Sequence, residues 1–240
     1  MKMITSYNVN WHVPPKIGYF ISTNQTGFSK GKYKHANFSK KVGDTDELVN
    51  LNIHNLKNQL ELKDITFMNQ THSNIILRVN QSDSFLDCDG MFTENRNVAC
   101  AVLTADCIPL LITEKTGNII GCIHAGWKGL QSQVIENFFE KLSTFPRRDF
   151  SVLLGPCISQ ANYEVNDTTI SNFSKYSKRF KKNESRNYYM DLRHIAYDIL
   201  TELGVTNVTI SKACTFNDNF YSYRKDKITG RFISLIWFKK

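Results

Sequence analysis

The 240-residue chain is 41% apolar and 12% aromatic, enough to bury a sizeable core, which excludes a disordered polymer. Its net charge of +8 and pI of about 9.1 favour anionic partners such as nucleotides, phosphate, RNA or anionic lipid, without choosing among them. Much of the lysine lies in Lys/Asn-rich stretches such as 30–41 and 175–182, which read as a solvated surface. No run approaches the ~20 apolar residues of a membrane span. The first ten residues lack the basic and apolar regions of a signal peptide. Six cysteines without a CxxC pair fit a reducing compartment, so the chain reads as cytoplasmic.

In chain order, residues 75–79 read as a strand. Residues 98–104 and 108–113 follow as apolar, β-rich runs. Thr116-Gly117-Asn118 reads as a turn, and 119–124 as the next strand. These three runs are expected to be adjacent strands of one buried sheet. After Gly126 the period changes: Leu130, Val134, Ile135, Phe138 and Leu142 fall on one helical face. Residues 151–154 return to strand character, ended by Gly155-Pro156. A helix is expected over 192–203, with Asp191 as N-cap and Gly204 as its stop. Leu192, Ile195, Ile199 and Leu203 would face the core. Residues 205–211 and 232–238 read as the last strands. There is no repeat, linker or sharp composition shift. The expectation is one domain over residues 1–240, an α+β layered sandwich.

Three segments place a reactive side chain at the edge of an apolar run. They are Asn69-Gln70-Thr71-His72-Ser73, Thr104-Ala105-Asp106-Cys107 and His124-Ala125-Gly126-Trp127-Lys128-Gly129. Two histidines and a thiolate are good ligands for zinc, and copper fits the same donors. Three protein ligands leave a fourth position for water or substrate, the pattern of catalytic sites. The ligands are spread over residues 72–124, so no local motif such as HExxH supports them. A histidine at a strand end is more often a hydrogen-bonded structural residue. Gly126 and Gly129 shift the balance, because they let a backbone pass close to something.

Together, Gln70-Thr71-His72, Thr104-Ala105-Asp106-Cys107-Ile108-Pro109 and His124-Ala125-Gly126-Trp127-Lys128-Gly129 resemble the YfiH family. So do Leu154-Gly155-Pro156-Cys157-Ile158, Asp191-Leu192 and Phe220-Tyr221-Ser222-Tyr223-Arg224-Lys225-Asp226. That family is also called the laccase-domain or multicopper polyphenol oxidase family. The resemblance runs from about residue 18 to 237. It implies a single-domain αββα sandwich with one zinc held by His72, Cys107 and His124, which are also the catalytic residues. It implies phosphorolysis of adenosine, inosine, guanosine and methylthioadenosine, with adenosine deamination as a second activity. The partners implied are therefore purine nucleosides and phosphate, with no nucleic acid and no membrane; no feature demands a dimer, so a monomer is expected. Polyphenol oxidation with copper and a peptidoglycan-editing role have also been tied to the family. Two positions depart from its pattern. Asn24 stands where arginine is usual, and Lys41 replaces the histidine of an HVGD motif.

Arg224 is the expected phosphate or substrate anchor, since guanidinium binds phosphate in a forked geometry; a surface ion pair is the alternative. Lys128 reads as a helix-start cation near an anion, or as a solvated end. Tyr223 and Trp127 can stack on a base or pack in the core. Gln70 reads as a substrate contact or as a brace for loop backbone. Asp106, beside Cys107, reads as orienting a ligand or capping a loop. Asp89, in Cys88-Asp89-Gly90, matches an acidic position of the family, with a turn residue as its plainer reading. A four-copper oxidase needs about ten histidines, many in H-x-H pairs; this chain has six and no such pair. A Cys107/His124 thiol hydrolase is the alternative that needs no metal.

Overall fold

Residues 98–125 carry three apolar runs whose side chains point alternately to opposite sides. In the computed structural model, which describes residues 2–81, 85–184 and 187–239, these runs lie in two sheets and not one. The first half of the chain holds β1 (Ile17–Ile21), α1 (Asp46–Gln59), β2 (Ile65–Phe67), β3 (Ile76–Arg78), β4 (Gly90–Thr93), β5 (Ala99–Thr104), β6 (Ile108–Glu114) and β7 (Ile120–Ala125). Then come α2 (Trp127–Gln131), α3 (Val134–Glu140), β8 (Phe150–Leu154), β9 (Glu164–Val165), α4 (Asp167–Asn172), β10 (Phe180–Lys182) and β11 (Tyr188–Met190). The chain closes with α5 (Leu192–Glu202), β12 (Asn207–Ile210), α6 (Tyr223–Asp226) and β13 (Phe232–Phe238). One sheet has the order β1-β13-β5-β2 and the larger has the order β12-β8-β6-β7-β4-β3; β10-β11-β9 form a small third sheet.

Alternation along β5 sets the layers. Cys100 and Val102 join Leu111, Ile120, Cys122 and Leu153 in a core between the two large sheets. Ala99 and Ala101 point the other way, into a core that includes Leu56 of α1. On the far side of the larger sheet, Leu110, Ile112, Val152 and Leu154 pack with Ile135 and Phe138 of α3 and Ile195 and Ile199 of α5. The layers run helix, sheet, sheet, helix, the αββα sandwich expected. No helix among the described residues is long and apolar enough to cross a membrane.

Two expectations need correction. β6 and β7 are adjacent as expected, and they pair antiparallel from Ile108 opposite Ala125 to Thr113 opposite Ile120. β5, however, pairs with β13 and β2 in the other sheet. The cause is Asp106, whose φ of +97° ends the extended run and turns the chain from one sheet into the other. The stripe Leu130, Val134, Ile135, Phe138 and Leu142 is buried throughout. Yet it is split into α2 and α3, because Gln133 adopts a left-handed φ of +65°. The later helix keeps its expected ends: Asp191 accepts from the His194 amide, and Gly204 takes a φ of +86°.

Candidate metal centre and cleft

Ile120 and Cys122 of β7 face the core between the sheets. Two residues on, the same alternation puts His124 on that side, at the strand's end. Cys107 sits just after the Asp106 turn that switches sheets. His72 comes from the loop between β2 and β3, at a left-handed φ of +62°. Such a backbone conformation is uncommon for histidine and is found at sites where a side chain must be aimed. The fold thus brings together three residues spread over residues 72–124. Their ligand atoms all lie within 4.8 Å of one another, the one such group among the described residues. Cys107 Sγ is 3.8 Å from His72 Nε2, and the two imidazoles meet edge to face at 4.7 Å. Ligands around a tetrahedral zinc at the usual bond lengths stand ~3.5 Å apart. The spacing and the N, N, S donor set therefore fit a zinc ion, and they fit copper as well.

Asp89 organises the trio. Its side chain is fully buried. The carboxylate accepts from the backbone amides of Thr71 (3.1 Å), His72 (3.0 Å) and Ser73 (2.6 Å) and from Ser73 Oγ (2.7 Å). It also contacts His124 Nδ1 at 2.8 Å, while the Asp89 carbonyl accepts from the His124 amide. One buried carboxylate thus holds the His72 loop in its strained conformation and fixes the orientation of His124. With Nδ1 engaged, Nε2 is the nitrogen of His124 left to act as a ligand. Burial opposes ionisation of Asp89, but the His124 hydrogen bond and charge, with the Ser73 donors, hold its carboxyl at about 2.

The six cysteines are free, and Cys107 is the one that is not buried. Desolvation pushes its thiol up, yet the charge and hydrogen bonds of His124 and His72 prevail and bring it down to about 6. A thiolate is the form that binds metal. Gly126 is required by the same crowding. A Cβ there would stand 2.8 Å from Cys107 Sγ and 3.0 Å from His72 Cδ2. Gly129 is less constrained, its nearest contact being Val134 at 3.3 Å.

Above the trio opens a cleft of about 630 Å³. Lys41, Lys128, Arg224, Lys227 and Arg231 line it, and no carboxylate pairs with any of them among the described residues. Five unpaired cations make the cleft a strong attractor of anions. Tyr223, 53% exposed, lines the cleft with Trp127 and Tyr163.

The residues expected from sequence divide by what they touch. Gln70 lines the cleft, but its amide already pairs with both backbone groups of Leu103, at 2.7 and 2.9 Å. Asp106 accepts from Thr215 Oγ1 and from the Arg224 amide, both at 2.6 Å. It anchors the start of α6, whereas Asp89 is the carboxylate that touches His124 and the His72 loop. Arg224 lines the cleft, with Nη1 on the Glu164 carbonyl at 2.8 Å and its guanidinium 5.0 Å from the Tyr163 ring. Lys128 lies 5.7 Å over the Trp127 ring. Lys41 lines the cleft and its Nζ contacts Asn69 Oδ1. Asn24 is not among the lining residues; it donates to the Phe220 carbonyl at 3.0 Å. The sequence reading missed Tyr163, Lys227 and Arg231. Arg231 had a signal, since Thr229-Gly230-Arg231 opens an apolar strand just as the ligand segments flank theirs.

The family model described as multi-copper polyphenol oxidoreductase laccase matches residues 18–239. A Haemophilus influenzae protein named purine nucleoside phosphorylase is 34% identical, covering 97% of this chain and 98% of its own length. The Escherichia coli protein named purine nucleoside phosphorylase YfiH is 30% identical, covering 95% and 96%. The crystal structure of a Neisseria meningitidis protein superposes with a TM-score of 0.92 at 32% identity, covering 96% of this chain and 98% of that one. Bacillus licheniformis YfiH superposes at 0.88 with 24% identity over 93% of each chain, a likeness of fold.

Proposed function

Because the chain belongs to the multi-copper polyphenol oxidoreductase laccase family, and relatives over its whole length are named purine nucleoside phosphorylase, we propose that it cleaves purine nucleosides with phosphate. The products are the free base and the sugar 1-phosphate, ribose 1-phosphate for the unmodified nucleosides. The observation that carries this reading is a His72, Cys107, His124 trio facing a cleft lined by three aromatic side chains and by five cations that no carboxylate of the described residues pairs with. Adenosine, inosine, guanosine and methylthioadenosine are the proposed substrates. Adenosine deamination as a second activity rests on the family resemblance alone. The reaction is assigned to one domain of a cytoplasmic monomer.

In phosphorolysis a phosphate oxygen forms a bond to C1′ as the bond from C1′ to the purine nitrogen breaks. The electron pair leaves with the base, which then takes a proton. The enzyme must hold the phosphate against the sugar and keep both in line. The cationic wall, Arg224 and Lys128 within it, draws the phosphate into the cleft and offsets its charge. Tyr223 and Trp127 offer faces for the purine to stack on. Gln70 fixes the cleft wall at Leu103, leaving its remaining hydrogen-bonding capacity for the substrate. Asp89 holds the two histidines in place. A zinc held by His72, Cys107 and His124, or copper in its stead, would supply a Lewis acid facing the cleft.

The test is base release. Inosine with phosphate is expected to give hypoxanthine and ribose 1-phosphate in equal amounts, and inosine without phosphate to give none. Hypoxanthine that forms equally well without phosphate would mean hydrolysis. No product from any of the four nucleosides would reject the reading.

One observation favours a second reading. His124 stands between Asp89, 2.8 Å from its Nδ1, and Cys107, within 4.8 Å, and burial, which lowers the His124 pKa, is overcome by the charges and hydrogen bonds of Cys107 and Asp89, which raise it to about 9. A thiolate beside an imidazolium is the resting form of a cysteine hydrolase. Activity insensitive to chelators and abolished by iodoacetamide would favour it.

A further inference from the structure

Arg231 precedes β13, is half-buried, and lines the same cleft as Cys107. Its amide is held by Asn37 Oδ1 at 2.9 Å. Asn37 is fully buried and also grips Ser39 and Asp44, so the loop carrying Lys41 and the start of β13 are tied together. Within the guanidinium, Nη1 donates to the carbonyls of Thr229 (3.0 Å) and Gly230 (2.9 Å). Among the described residues its Nε and Nη2 meet no acceptor, and no carboxylate pairs with it.

Other arginines withdrawn from solvent are treated differently. Arg179 makes a two-pronged pair with Asp198, and Arg193 commits both Nε and Nη2 to Cys157 and Ala213. Burial holds the Arg231 guanidinium below its ordinary value, while the negative groups Cys107 and Asp106 pull the other way. It remains charged at neutral pH. A desolvated cation with an open edge and no partner is costly unless a ligand supplies the anion. The open edge of a guanidinium matches two oxygens of one phosphate group. A second cation is at hand, since Lys227 and Arg231 lie 5.8 and 6.0 Å from the same Tyr223 ring. Arg224, by contrast, has Nη1 tied to Glu164 and its plane against Tyr163.

We propose that Arg231, assisted by Lys227, is the residue that grips the phosphate group in the cleft, with Arg224 stiffening the wall beside it. That the phosphate is a co-substrate rests on the phosphorolysis proposed above; the anion site itself rests on Arg231. The phosphate group belongs either to free phosphate or to a nucleoside 5′-monophosphate.

Calorimetric titration of the whole protein with inorganic phosphate, and separately with inosine monophosphate, tests this without turnover. The wild type is expected to bind phosphate and Arg231→Gln to bind it about 10- to 100-fold more weakly, the loss of a charge-assisted pair. Arg231→Lys, which keeps the charge and loses the fork, should fall between them, and it serves if the glutamine variant fails to fold. Binding of the monophosphate alone, lost in the same variants, would keep the site and reassign the source. If phosphorolysis is present, the phosphate KM should rise by the same factor while the inosine KM stays within about twofold. Phosphate and monophosphate binding unchanged in Arg231→Gln, or absent from the wild type, would overturn the proposal. So would a phosphate KM that responds to Arg224→Gln and not to Arg231→Gln. Absence of phosphorolysis with Arg231-dependent phosphate binding would reject the reaction and keep the site.

Discussion

Cys107→Ala is expected to empty the metal centre and reduce phosphorolysis on the order of a thousand-fold or more, with little effect on the fold. The size follows from losing one of three ligands, more than the 10- to 100-fold typical of a supporting residue. Cys107 is also the one donor of the trio that brings a negative charge as a thiolate. It is the one cysteine that is not buried, so its truncation opens no sealed cavity. A stability change within about 1 kcal/mol is expected, read as the urea midpoint of metal-free protein. Metal content of the dialysed variant and its turnover of inosine are the paired readouts. A variant that retains one metal per chain would remove Cys107 from the ligand set. One that lacks metal yet turns over normally would remove the metal from the reaction.

The second large effect is expected at Asp89. An asparagine there has one oxygen and an amide where the carboxylate now serves Thr71, His72, Ser73 and His124. At least one buried donor loses its acceptor, and the new amide points at another donor. A loss of about 2–4 kcal/mol is expected at pH 7. Metal affinity should fall about 10- to 100-fold, because His124 loses its fixed orientation and the His72 loop its support. The pH dependence has a definite sign. Burial raises the Asp89 pKa, but the His124 and Ser73 interactions prevail and depress it to about 2. Its stabilising contribution is therefore present above the unfolded value near ~4 and is lost as pH falls from there towards 2. Urea midpoints of metal-free protein should lose about 2 kcal/mol of stability through that window in the wild type, and the asparagine variant should lack this component. Equal stability of the two proteins at pH 7 would show that Asp89 does not brace the site.

What the sequence could reveal follows from how far apart the interacting residues are. β6, β7, β13 and the capped α5 carry signals within a few residues: alternating apolar runs, a Thr116-Gly117-Asn118 turn, Asp191 and Gly204. The sheet switch at Asp106 leaves no such signal, because a single positive φ is hidden between two runs that look continuous. The break at Gln133 is hidden likewise, since both halves keep the same buried stripe. The trio was legible as three reactive residues at strand ends, and the family resemblance joined them. The central place of Asp89 was not legible. Its partners at 71–73 and 124 become neighbours only once β4 pairs with both β3 and β7, with Gly90 opposite Ile76 on one side and Ile123 on the other. Arg231 was missed for a related reason. Its lack of a carboxylate is a property of the assembled cleft, not of its local sequence.

The most direct test of the central claim is to strip the protein with a chelator, return zinc in measured amounts, and follow hypoxanthine release from inosine and phosphate. Activity is expected to be lost on stripping, to rise in proportion to added zinc, and to level off at one equivalent per chain, a stoichiometry that Cys107→Ala fails to reach. Full phosphate-dependent release in the stripped protein would contradict a metal held by His72, Cys107 and His124 as part of the reaction.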